Sequence, residues 1–287
     1  MKIAIFSVSL PEWTPEEAVR NLAELGYDGI EWRIADDPPR ATPGFWQGNR
    51  CTFPLSTFVE DAPRIRALTE ATGLAIPAIA SYVQAADVEN VERVFRGAAA
   101  LGTRGERVRA MARIQVPKYD GQTGYVDLWE RARQDYREVA LLARAHGVKA
   151  LVEIHHETIV PSASAARRFL DGFDPESVGA IYDPGNMVWE GHEQYRLGLE
   201  TLGPYLAHVH VKNSGWRQTG RRADGSLAWQ AAWAPLDAGI VNLRDLFTAL
   251  RAVGYDDWVS VEDFTTEPPL SDRVRENLSY LRRSLTP

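Results

Sequence analysis

Short apolar runs alternate with amphipathic stretches about eight times along the chain, with no break in composition between them. Strand-like runs lie at residues 2–9, 29–34, 74–82, 107–115 and 148–153, followed by the motifs AIYDPGN, HVHVKN and SVEDF. Helical patterns fall between them, at residues 56–72, 87–101, 125–146, 162–170, 192–202, 243–253 and 272–284. The first helix is signed by Thr14 as N-cap, Pro15 at the first turn and Glu17 two residues on, and it stops at Gly26. This alternation demands a parallel sheet whose strands are joined by helices. So many units favour closure into a single (β/α)8 TIM barrel over residues 1–287. No G-x-G-x-x-G follows an early strand, which argues against an open dinucleotide-binding sheet. Residues 36–54 are expected to form a loop over the site, residues 116–124 form a second loop carrying Lys118 and Tyr119, and the polar, tryptophan-containing insertion at 215–234 is expected at the rim of the pocket.

Four of the strand-like runs end in polar groups: Glu153 in VKALVEIHHE, Asp183 in AIYDPGN, His210 in HVHVKN and Glu262 in SVEDF. In a barrel these C-terminal strand ends converge from distant parts of the sequence. Three carboxylates and one imidazole suit one hard or borderline divalent ion, Mn²⁺ first, with Mg²⁺, Co²⁺ or Zn²⁺ as alternatives. His210 is preferred to His208 as the ligand because it lies nearer the strand end, with His208 read as a core or supporting group. His155 and His156 follow Glu153 and are read as supporting donors or substrate contacts. Lys212 is either an electrostatic helper at the substrate or an ion-pair partner of a nearby carboxylate. Glu31 and Arg33 form either one wall of the pocket or a structural ion pair.

The partner classes are narrowed by charge and cysteine usage. A formal net charge of -7 disfavours a nucleic-acid partner, which requires a basic face. The basic run Arg217, Arg221 and Arg222 keeps a small anionic substrate open. Cys51 is the single cysteine, which fits a reducing, cytoplasmic setting. Neither a signal-peptide pattern nor an apolar run of membrane-spanning length is visible, so no membrane association is expected.

The motifs VEIHHET, YDPGN, HVHVKN and GYDDWVSVEDF resemble those of the sugar phosphate isomerase/epimerase superfamily, the xylose isomerase-like TIM barrels. The segment PLDAGIVNLRDLFTALRAVGY is similar to the stretch before the last strand in ketoinositol isomerases and ketose 3-epimerases. The resemblance implies one divalent metal held by Glu153, Asp183, His210 and Glu262. It also implies that Glu153 and Glu262 act as acid and base on opposite faces of a keto sugar. Two departures stand out. Ketose 3-epimerases carry a substrate-binding histidine where this chain has Asn186, although Arg217 lies close to where they keep a substrate-binding arginine. Endonuclease IV-type enzymes share the barrel but need histidines in the first half, and none precedes His146 here. Homodimers or homotetramers are common in such relatives.

The carbohydrate itself is expected to meet aromatic rings, with Trp13, Trp32, Trp46, Trp189, Trp216, Trp229 and Trp233 as candidates and core packing as the alternative for each. The leading expectation is a metal-dependent isomerase or epimerase of a sugar, keto sugar or ketoinositol. A lyase on the same scaffold, an inosose dehydratase or a deglycosidase of 3-keto-glycosides, is the enzymatic alternative. A sugar-binding barrel without catalysis is the other.

Overall fold

The computed structural model describes residues 1–102 and 110–286. The elements run β1 (Lys2–Phe6), α1 (Pro15–Leu25), β2 (Gly29–Ile34), β3 (Thr52–Phe53), α2 (Phe58–Ala71), β4 (Ile79–Gln84), α3 (Val88–Leu101) and β5 (Met111–Gln115). They continue with α4 (Tyr125–His146), β6 (Lys149–Glu153), α5 (Ala163–Leu170), β7 (Val178–Tyr182), α6 (Pro184–Trp189), α7 (Tyr195–Leu202) and β8 (Leu206–Val211). The last are β9 (Asn213–Arg221), β10 (Leu227–Ala234), α8 (Leu243–Ala252), β11 (Trp258–Val261) and α9 (Leu270–Leu285). Eight strands pair in the ring β1-β2-β4-β5-β6-β7-β8-β11, and β11 returns to β1. Every pairing in the ring is parallel, so the expected (β/α)8 barrel is the fold.

Both faces of these strands are buried, which is why they read as continuous apolar runs. One face of β6, with Ala150 and Val152, packs outward into the main core under the helices. The alternate residue Leu151 joins Ala78, Met111 and Ile181 in a separate cluster, and Phe6, Val8 and Ala80 form another. These small apolar groups belong to the barrel interior. The helix starts follow the sequence closely. Thr14 accepts from the Glu17 amide while the Glu17 carboxylate accepts from the Thr14 amide, a reciprocal cap that stabilises α1 by about 1 kcal/mol.

Several expected elements are corrected. The third barrel strand begins at Ile79 instead of residue 74 and runs to Gln84, because Pro77 has no N–H for the ladder; Ala75 makes only an isolated bridge to Gly29. The fourth was expected from residue 107; residues 103–109 lie outside the described residues, and the strand is Met111–Gln115. The helix expected from residue 192 begins at Tyr195, capped by the Gln194 side chain. The polar insertion expected at 215–234 takes the form of an antiparallel hairpin of β9 and β10, and the short helix α6 was not anticipated. Among the described residues no helix is long and apolar enough to cross a membrane.

The α2–α3 contact depends on one missing side chain. A Cβ at Gly97 would lie 2.3 Å from the ring of Phe58, which is fully buried. Gly97→Ala gains roughly 1 kcal/mol of helix propensity, but forcing the Phe58 ring aside costs about 1–3 kcal/mol. A net loss of stability is therefore expected in urea unfolding; a more stable variant would mean the two helices have slack there.

Candidate metal centre

The four strand-end residues meet. Glu153 closes β6, Asp183 follows β7, His210 lies in β8 and Glu262 follows β11; one ligand atom from each lies within 4.8 Å of all the others, and all four residues are buried. The YDPGN motif builds one corner. Asp183 is the N-cap of α6, accepting from the Asn186 amide at 2.9 Å, and Pro184 takes the first helical position. Gly185 lets this turn approach β8, since a Cβ there would lie 2.7 Å from Lys212 Cγ and 2.9 Å from its carbonyl carbon.

Charge decides what such a cluster can hold. His210 Nε2 lies 3.2 Å from both oxygens of Glu31 and therefore carries the ring proton toward that carboxylate. His208 Nε2 reaches the same carboxylate at 3.0 Å, so His208 sits behind the cluster as a supporting group. The Phe6 ring stacks on His210 at 5.9 Å. His210 Nδ1 is buried without a hydrogen bond, 3.3 Å from Glu153 Oε1 and 3.8 Å from Asp183 Oδ2. Facing carboxylates, that nitrogen is stabilised by holding either a proton or a cation. Burial opposes charge on His210, but the adjacent Glu31 draws its pKa well above the ordinary imidazole value. With both histidines counted as neutral, as a ligating His210 is, the carboxylates Glu31, Glu153, Asp183 and Glu262 face, among the described residues, the cations Arg113 and Lys212. Two negative charges remain, the deficit that one divalent cation fills, so the donor set fits such an ion.

The two glutamates differ in environment. Burial alone would raise Glu153, but the Arg113 guanidinium, 2.5 Å away, and His210 hold it well below the usual carboxylate range. Burial pushes the Glu262 carboxyl up, and Lys212, which contacts it directly, only partly offsets this.

The remaining expected residues divide. Lys212 pairs with Asp183 at 2.8 Å and with Glu262, the ion-pair alternative, and its Nζ lies 5.0 Å from the Trp233 ring. The Asn186 amide, expected at the substrate, has protein partners on both its nitrogen and its oxygen. Nδ2 donates to Glu153 Oε1 at 3.2 Å, Ile154 O at 3.1 Å and Asp183 Oδ2 at 2.9 Å, while Oδ1 accepts from His156 Nδ1 at 3.1 Å. It fixes two of the carboxylates instead. Trp32 is corrected outright: its indole is fully buried in the core and donates to Thr69 at 3.1 Å, because it faces the helix side of β2. Arg33 binds Asp37, Thr52 and the Trp46 carbonyl, so it makes no ion pair with Glu31. Arg217 is paired with Gln230 on the hairpin, and its exposed side chain makes no hydrogen bond or ion pair among the described residues. Trp216 donates to Val188 O, Trp229 is half exposed on β10 and Trp13 packs on the core. Three tryptophans do gather near the cluster. Ring contacts run from Trp46 to Phe264 (4.6 Å), Phe264 to Trp233 (5.3 Å), Trp233 to Trp189 (4.8 Å), Trp189 to His156 (4.4 Å) and His156 to His155 (4.2 Å).

Sequence reasoning passed over Arg113. Its signal was present, a lone cation inside the apolar run MARIQV, but the neighbouring arginines of residues 104–109 obscured it.

A family model described as xylose isomerase-like TIM barrel matches residues 19–284. An inosose dehydratase of Lacticaseibacillus casei is 24% identical over 142 residues, 47% of this chain and 47% of that protein. The chain thus spans about half the length of the curated relatives it matches. Among solved structures, the 3-keto-D-glucoside 4-epimerase of E. coli superposes with a TM-score of 0.72 at 17% identity, covering 99% of both chains. The IOLI protein with a zinc atom gives a TM-score of 0.74 at 16% identity, covering 99% of this chain and 98% of the other. These likenesses are of fold.

His156 supplies a test of the packed ring contacts. Burial, with His155 and Lys212 nearby, pushes its pKa down to about 4. A folded value below the unfolded one means that this ring leaves stability untouched above about pH 6.5 and subtracts from it as pH falls towards 4. Proton NMR is expected to place its titration near 4; a midpoint near 6.5 would mean that the ring stack is open to water.

Proposed function

The chain belongs to the xylose isomerase-like TIM barrel family, and from that membership and the strand-end geometry we propose that it is a divalent-metal-dependent isomerase or epimerase of a keto sugar or ketoinositol. The observation that carries the reading is the convergence of Glu153, Asp183, His210 and Glu262 within 4.8 Å, with His210 Nδ1 left for a cation. These four would hold Mn²⁺, or alternatively Mg²⁺, Co²⁺ or Zn²⁺. A divalent ion bound there supplies Lewis-acid stabilisation for charge developing on a carbonyl oxygen.

The chain's own residues then divide the proton chemistry. Glu153, kept ionised by Arg113, takes a proton from the carbon beside the carbonyl. Glu262, pushed up by burial, is the group suited to hold a proton for delivery. Return to the same carbon on its other face is epimerisation, and delivery to the neighbouring carbon with a shift of the carbonyl is isomerisation. The aromatic contacts of Trp46, Phe264, Trp233 and Trp189 offer apolar surface for the C–H face of the ring. A second reading is dehydration, in which a hydroxyl β to the carbonyl leaves after the same abstraction; the match to inosose dehydratases favours it. Release of water, against exchange of a carbon-bound proton with solvent alone, separates the two.

With Mn²⁺ added to chelator-treated protein, exchange of deuterium from D₂O into a ketose is expected. Glu153→Gln and Glu262→Gln should each lower that rate by about 10²–10⁴ with the circular dichroism spectrum unchanged. A fully active Glu262→Gln protein sinks the assignment.

Glu31 supports His210 from behind, the arrangement in which a carboxylate orients a ligating imidazole. Glu31→Gln is therefore expected to weaken Mn²⁺ binding by about 10–100-fold, read from metal-induced thermal shifts. Unchanged affinity would remove His210 from the ligand set.

A further inference from the structure

Arg113 has unused hydrogen-bonding capacity. Nη1 donates to Glu153 Oε2 at 2.5 Å and Nε to Ser81 O at 3.2 Å, while the buried Nη2 has no partner among the described residues. The guanidinium is fixed as well as buried, with its carbon 4.7 Å from the Tyr82 ring and 5.4 Å from the Phe6 ring. A charged N–H group is satisfied by water or by a group of a ligand, and one held in place without a protein partner is available to either. Arg113 also lines a cavity of about 130 Å³, together with Gln84, Gln115, Lys118, Glu153 and His155. That volume is roughly four waters' share of bulk liquid. The Nε of Arg33 is also unpartnered, but its two terminal nitrogens are taken by Asp37, Thr52 and the Trp46 carbonyl.

We propose that Arg113 is a specificity-determining residue whose Nη2 donates to an uncharged substrate oxygen, a carbonyl or hydroxyl, beside the carbon that Glu153 deprotonates. The cavity then takes the hydroxyl-bearing end of an unphosphorylated keto sugar. This rests on the reading of Glu153 as the proton acceptor. The guanidinium is a rigid fork, so with Nη1 on Glu153 its second arm serves the group next to that carboxylate. The partner is uncharged because Glu153 already balances Arg113, Glu157 already pairs with the cavity's Lys118 at 3.0 Å, and a dication would balance the cluster; a phosphate or carboxylate beside Glu153 would bring uncompensated charge.

The test compares wild type, Arg113→Lys and Arg113→Met in three measurements: Mn²⁺ content, the thermal shift induced by D-fructose, D-tagatose or D-fructose 6-phosphate, and deuterium exchange into each ketose. Arg113→Lys keeps a cation for Glu153 but loses the fork. It is expected to retain its Mn²⁺, to lose the thermal shift of the free ketoses and to lose about 10–100-fold in kcat/KM. Arg113→Met is expected to lose more and to regain part on adding guanidinium ion. The inference is overturned if Arg113→Lys keeps wild-type binding and kcat/KM, if its losses only follow loss of Mn²⁺, or if wild type prefers the phosphate ester and Arg113→Lys abolishes that preference. Wild type that binds a free ketose without exchanging it overturns the proposed reaction instead, and the Arg113 contact is then judged by whether Arg113→Lys loses the thermal shift.

Discussion

Four carboxylates gathered against two cations is an arrangement that water would normally dissolve. Here Glu31, Glu153, Asp183 and Glu262 are all buried, and the barrel holds them where their mutual repulsion cannot relax by spreading. Much of the surrounding structure answers that constraint. Arg113 crosses from β5 to Glu153, Lys212 bridges Asp183 and Glu262, and Asn186 ties Glu153 to Asp183. The closed parallel sheet beneath keeps the four strand ends from moving apart, because each strand is hydrogen-bonded on both sides.

The part of this that sequence conveyed was the part written in periodicity and strand ends. The alternation of apolar runs and helical patterns specified a closed barrel, and the polar residue at the end of each late run gave the cluster. Residues that act through long-range contacts were harder to read. Glu31 is far from His208 and His210 in sequence, and nothing in GIEWRI distinguishes a wall of the pocket from a support behind it. Trp32 lies one position further along that strand and therefore faces the opposite side, where the helices cover it. Asn186 was legible as a departure from epimerases but not as a hub, since its partners come from Glu153, Ile154 and His156 in another part of the chain.

That departure reshapes the corner around α6. The amide of Asn186 is spent on the carboxylates and on His156, whose ring then stacks between His155 and Trp189. The same motif that sets Asp183 thus begins a run of ring contacts extending through Trp233 and Phe264 to Trp46 in the connection after β2. Loops from separate strands are joined to one another along this run.

The ring of strands is chemically lopsided. The arc β6, β7, β8 and β11 supplies every member of the ligand cluster, whereas β4 and β5 supply Gln84, Arg113 and Gln115 to the neighbouring cavity. Within the second arc Arg113 is tied to Glu153, whereas Gln84 and Gln115 hydrogen-bond each other at 2.7 Å and can change without disturbing the cluster. Replacing side chains around Gln84 and Gln115 would then reshape the cavity wall and leave the four strand-end groups where they are.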